Sequence, residues 1–102
     1  MANNSVLDAY AAAQGEIRGS IAQIKEYEGY FDVAYKVPGG ACDMGTMILK
    51  SMITPEYVAV LQSLGNAKDS PIRIIKQHAN PHHNGIIIIG DRVVANFEGL
   101  KL

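Results

Sequence analysis

The run Ile86-Ile87-Ile88-Ile89, set between Asn84-Gly85 and Gly90-Asp91, constrains the fold more than any other part of the chain. β-Branched side chains favour extended backbone, and successive residues of a strand point to opposite faces. Four isoleucines in succession leave no face for water, so the segment predicts an interior strand covered on both sides. The flanking pairs suit tight turns, Asn-Gly through two positive φ angles and Gly-Asp with glycine leading. Its neighbours follow: Ile72-Arg73-Ile74-Ile75 reads as a strand running towards His78, and Val93, Val94, Ala95 and Phe97 complete a three-strand meander.

Upstream, the apolar period changes. Leu7, Tyr10, Ile17, Ile21 and Ile24 fall at helical spacing, which predicts one amphipathic helix from Ser5 to about Tyr27, capped by Asn4 or Ser5. Within it Ala11, Gly15 and Gly19 stand four apart, a bare stripe that suits close packing on the helix's own sheet or on a second copy of the chain. Phe31, Val33, Tyr35 and Val37 then alternate with polar or small residues, the period of a half-buried strand. Pro38-Gly39-Gly40 breaks it, and Thr46-Met47-Ile48-Leu49 supplies the second arm of a long-tipped antiparallel hairpin. Thr54-Pro55-Glu56 is a helix start, and Gly65-Asn66 its left-handed stop.

The expected order is therefore α-β-β-α-β-β-β: an α+β fold of two helices around a five-stranded antiparallel sheet, one helix on each face. At 102 residues the chain reads as a single domain, 1–102, with one core. So small a domain leaves apolar surface to cover, and a formal charge of −1 offers little repulsion between copies, so a homodimer is expected. The same charge balance, without basic runs, gives nucleic acid and anionic lipid nothing to grip. The apolar run at 86–89 is far shorter than the roughly 20 residues that span a bilayer. A lone cysteine and an N-terminus without signal-peptide character place the expected compartment in the cytoplasm.

The order of elements from Ser5 to Phe97, with Gly85-Ile86-Ile87-Ile88-Ile89-Gly90-Asp91-Arg92 as core strand and turn, resembles the roadblock and profilin-like domains. That resemblance implies a homodimeric scaffold acting on a partner protein, such as a small GTPase or another subunit of a complex. The segment Glu98 to Leu102 is too short for the closing helix that many members carry, and a PAS-like or unrelated α+β arrangement stays open beside it.

Two places concentrate chemistry. Cys42 sits in the flexible tip Pro38–Asp43, where a thiol can reach solvent, but a nucleophilic cysteine also needs a lowered pKa and an oxyanion donor. His78, His82 and His83, with Asn80 and Asn84, crowd the start of the β-hairpin. If that loop meets Cys42, a ligand pocket or a Cys-His enzyme results; otherwise the histidines form a polar loop. No phosphate loop, paired carboxylates, serine nucleophile motif or zinc ribbon is present, so neither cofactor nor metal is implied. Tyr27 and Tyr30 lie off the buried alternation and are candidates for a contact surface. The leading expectation is a non-enzymatic protein-interaction domain whose partner no residue names, with a small-ligand binder as the alternative.

Overall fold

The computed structural model describes residues 4–80 and 82–101. Its elements are α1 (Asn4–Gln14), β1 (Glu16–Glu26), β2 (Tyr30–Lys36), β3 (Met44–Leu49), α2 (Pro55–Ser63), β4 (Pro71–Lys76), β5 (Asn84–Ile89) and β6 (Arg92–Asn96), with a 3₁₀ turn at Lys50–Met52. The strands form one six-stranded sheet in the order β3-β2-β1-β4-β5-β6, and every neighbouring pair is antiparallel.

The class is the expected α+β with two helices, but the sheet has six strands rather than five because the first helix is shorter than its periodicity implied. Gly15 adopts φ 81° and its amide closes onto the Ala11 carbonyl at 2.8 Å, a glycine stop that ends α1. The chain then extends. Ile17 and Ile21, four apart, share a face on a strand as well as on a helix. Ile21 and Ile24, three apart, share one only because β1 carries a bulge between Ile21 and Gln23. The capping position ahead of Asn4 lies outside the described residues. Gly19 consequently sits in a strand, and no bare helical stripe of Ala11, Gly15 and Gly19 exists.

β1 serves two half-sheets. Glu16–Ser20 pair with Ile75–Pro71 of β4, whereas Ser20–Glu26 pair with Lys36–Phe31 of β2. Beyond Ser20 the vacated edge of β1 is taken by the loop after α2: Ile21 N donates to Ser70 O at 2.8 Å, Asp69 N to Ile21 O at 2.8 Å and Ile24 N to Asn66 O at 3.1 Å. A Cβ at Gly19 would collide with the Lys36 carbonyl oxygen, so only glycine lets the two halves meet there.

The four isoleucines of β5 are between 0% and 3% exposed and divide between the two faces. Ile87 and Ile89 join Ile21, Phe31, Val33, Ile48, Ile72 and Ile74 beneath Leu61 of α2. Ile86 and Ile88 join Ile75 beneath Leu7 and Ala11 of α1. Each fully buried isoleucine is worth about 1.5–3 kcal/mol. Thr54 caps α2 by accepting from Tyr57 N at 3.3 Å, with Pro55 and Glu56 in its first turn and Gly65 at φ 63° beyond its end. Gly90, at φ 65°, leads the β5–β6 turn as expected. Asn84-Gly85 is not a turn: both residues lie in β5, and a Cβ added at Gly85 would stand only 3.1–3.2 Å from Ile75 O, Gln77 N and a Glu98 carboxylate oxygen.

Charge ties α1 to the sheet. Arg73 of β4 contacts Glu16 at 2.8 Å and Asp8 of α1 at 3.0 Å, and Arg18 contacts the other oxygen of Glu16 at 2.6 Å. Burial is the largest influence on Glu16 and opposes its ionisation, but hydrogen bonds from Arg73 and Arg18 and their charges outweigh it and hold the carboxyl below its ordinary 4.5. The Tyr10 hydroxyl donates to Glu98 at 2.6 Å, and burial, then that hydrogen bond and the Glu98 charge, push its pKa up to about 12.

These features predict two outcomes. Gly19→Ala destabilises the domain by about 1–3 kcal/mol in urea unfolding, because the new methyl meets backbone rather than a movable side chain; a helical Gly19 would instead gain stability from alanine. Stability contributed by Glu16 is fully present above its unfolded value of 4.5 and is lost as pH falls through the lower folded value. That of Tyr10 is present below 10.0 and is lost as pH rises through about 12. Glu16→Gln therefore flattens the acid limb of the Tm-against-pH curve, and Tyr10→Phe the alkaline limb.

Candidate functional site: a cleft at the edge of the sheet

Asn84 Nδ2 donates to Thr46 Oγ1 at 3.1 Å, joining the first and fifth strands of the sheet. In a flat sheet four gaps of about 4.8 Å would hold those strands about 19 Å apart. The sheet therefore curls around α2 until β3 approaches the far end, and a cleft of about 560 Å³ remains between them. One wall is Met47, Leu49 and Met52; the other is His82, His83, Asn84 and Gln77 with Asn96 and Phe97 at the end of β6.

The polar wall is set by its own hydrogen bonds. Gln77 N donates to His83 O at 2.9 Å and His83 N to Asn80 O at 3.0 Å, closing the β4–β5 loop. Asn80 Oδ1 accepts from His82 N at 3.1 Å, which turns the amide nitrogen of Asn80 towards His83 Nδ1 at 3.3 Å. Nδ1 must then accept, so the ring proton of His83 resides on Nε2. His83 thus offers a hydrogen-bond donor.

The candidate residues separate in space. His82 and His83 share the cleft. His78 lies apart from that lining, its ring nitrogen 3.2 Å from Gln14 Oε1 at the end of α1 and its amide 3.3 Å from Glu98. Cys42 is a free, exposed thiol at the β2–β3 tip and is not part of the cleft lining either. Among the described residues no three His, Cys, Asp or Glu side chains converge to hold a metal ion, and no helix is long and apolar enough to cross a membrane.

Ala11 is buried under α1, Gly15 ends that helix and Gly19 lies in β1, so the three share no surface. Tyr27 and Tyr30 do reach the outside. Their rings stack with centroids 4.8 Å apart and planes 16° apart, and Tyr30 is the cross-strand partner of Leu49. The strip continues from there into the cleft through Leu49, Met47 and Met52. Met47 and Leu49 fall on the face of β3 opposite the fully buried Ile48, and with Met52 of the 3₁₀ turn they are 59%, 43% and 62% exposed, while Met44 is 48% exposed. The signal available in the sequence was chemical, since three of the four methionines stand within nine residues.

No family model matches the chain, and no curated protein or solved structure matches it significantly.

Two measurements check this geometry. Long-range proton–nitrogen NMR should find His83 in the Nε2–H tautomer, and Asn80→Asp, which substitutes an acceptor for the amide donor, should move the proton to Nδ1. Cys42→Ser should leave unfolding free energy within about 0.5 kcal/mol of the parent, as expected of an exposed tip residue.

Proposed function

We propose that this chain is a non-enzymatic protein-interaction domain whose working face is the strip from Tyr27 and Tyr30 through Leu49, Met47 and Met52 into the cleft. The observation that carries the reading is the continuity of that apolar surface at one edge of an otherwise well-packed sheet. Scattered exposed apolar residues are ordinary, whereas contiguous ones with a polar rim mark contact surfaces. Methionine suits such a face because its unbranched, polarisable side chain repacks around a partner. A Cys-His reaction needs thiol and imidazole in contact, and the cleft lining includes His82 and His83 but not Cys42. The resemblance to roadblock and profilin-like domains implies the same class of function.

The domain's working form, in this reading, is a homodimer, favoured by its small size and by its formal charge of −1. Light scattering tests that part directly: a monomer at roughly millimolar concentration, where contacts worth about 4 kcal/mol are populated, rules the dimer out.

The face itself is tested by placing a photo-crosslinking side chain at Met47, or at Ala12 on the exposed side of α1, in the cell that makes the protein. A discrete adduct from position 47, absent from position 12 and lost on Leu49→Asp, is expected. Equal adducts from both positions, or none from position 47, overturn the reading.

A further inference from the structure

We propose that Asn84 is a latent self-modification site: the contact that joins β3 to β5 also shields the Asn84 side-chain amide from the Gly85 nitrogen, and opening that contact releases the amide to deamidation. Neither step requires an occupant of the cleft.

Asparagine followed by glycine is the pair in which this reaction meets least steric resistance, because glycine offers an unhindered main-chain nitrogen. That nitrogen bonds to Cγ of Asn84 and gives up its proton, the Cγ–Nδ2 bond breaks, and ammonia leaves a five-membered succinimide. Water then opens the ring at either carbonyl, giving aspartate or isoaspartate. The sum is amide plus water to carboxylic acid plus ammonia, so solvent is the sole co-reactant.

In the folded chain both ends of the amide are held from other strands. Lys76 Nζ donates to Asn84 Oδ1 at 2.9 Å, and Asn84 Nδ2 donates to Thr46 Oγ1 at 3.1 Å. The main chain on either side is held too: Gln77 Nε2 donates to Asn84 O at 3.2 Å and Phe97 N to Gly85 O at 2.7 Å. Cγ cannot swing onto the Gly85 nitrogen while these bonds stand. The hold is nevertheless local. Thr46 lies on the edge strand β3, and Gly85 is the extra residue of the β4–β5 bulge, between Asn84 paired with Lys76 and Ile86 paired with Ile75. A bulge interrupts the ladder, and local opening needs less free energy than global unfolding. When β3 lifts away, Nδ2 is released while the Lys76 ammonium can stay on Oδ1, where it stabilises the negative charge that this oxygen takes up during attack. Either product places a carboxylate in a cleft whose lining residues carry none. Isoaspartate also adds a carbon to the main chain of β5, so the change is one-way and refolding does not erase it.

The test ages the whole chain at mildly alkaline pH, folded and in guanidinium chloride, and follows the tryptic segment 77–92 by mass spectrometry. Asn80, the other asparagine in that segment, precedes Pro81, which has no N–H to attack, so loss of ammonia there reports Asn84. The folded chain should deamidate about twentyfold more slowly than the unfolded one, the product of two hydrogen bonds worth about fivefold each. Thr46→Val removes one of them and should speed the folded chain about fivefold, whereas Thr46→Ser, which keeps the hydroxyl, should stay at the parent rate. Circular dichroism establishes the fold of each variant before ageing, and Thr46→Ala is read instead if valine does not fold. The comparison of folded with unfolded parent depends on no variant. Equal rates in those two states overturn the proposal. So does a folded Thr46→Val or Thr46→Ala chain as slow as the parent, or a Thr46→Ser chain as fast as the valine variant.

Discussion

β1 changes partner halfway along its length, and the rest of the molecule is arranged around that change. Its first residues belong to the half-sheet with β4, β5 and β6, and its last to the half-sheet with β2 and β3. At the crossover the Lys36 carbonyl approaches Gly19 more closely than any side chain would allow. The edge that β1 loses on leaving β4 is repaired by residues 66–70, where Ala67 and Asp69 adopt φ 49° and 68°. Positive φ is unfavourable for a residue with a Cβ, and here it is offset by the hydrogen bonds that this turn delivers to Ile21 and Ile24. With its edge satisfied in this way, the sheet can bend without leaving backbone groups unpaired.

The bend is what creates the site. It wraps both half-sheets around α2, brings Thr46 within hydrogen-bond distance of Asn84, and stops short of closing a barrel. Full closure would eliminate the sheet edge. The remaining gap leaves β3 with one unpaired side and places the His82-His83 loop opposite it. The division of side chains follows the same line. The described core is built largely from isoleucine, with valine, leucine, alanine, Phe31 and Tyr35, and contains no methionine. Stiff β-branched side chains fill the interior, and flexible thioethers occupy the open edge.

Much of this was legible in the residues themselves. The two-sided burial of Ile86–Ile89, the hairpin of β2 and β3, the Thr54-Pro55-Glu56 helix start and the Gly90-Asp91 turn each follow from local rules. Their outcome depends on backbone preference and on the period of apolar residues, and both are written in short stretches of sequence. The first helix was misread at the point where those rules become degenerate. A spacing of four apolar residues suits helix and strand alike, and a spacing of three suits a strand only when a bulge is inserted, as between Ile21 and Gln23.

The sequence by itself determined the α+β class, the central strand and the position of α2, because hydrophobic period and turn chemistry act over a few residues. Tertiary structure alone decided that Gly19 is a crossover glycine, that Gly85 yields to Glu98, and that His82 and His83 face Met47 and Met52 while Cys42 and His78 lie elsewhere. Those outcomes depend on how the six strands are assembled, which brings together residues as little as 13 positions apart, Gly85 and Glu98, and as much as 36, Met47 and His83, through contacts that no local pattern encodes. The exposure of Met47 and Leu49 belongs to the same class: alternation places them opposite Ile48, but whether that face of β3 is covered depends on where the helices pack, and only the assembled fold leaves it open.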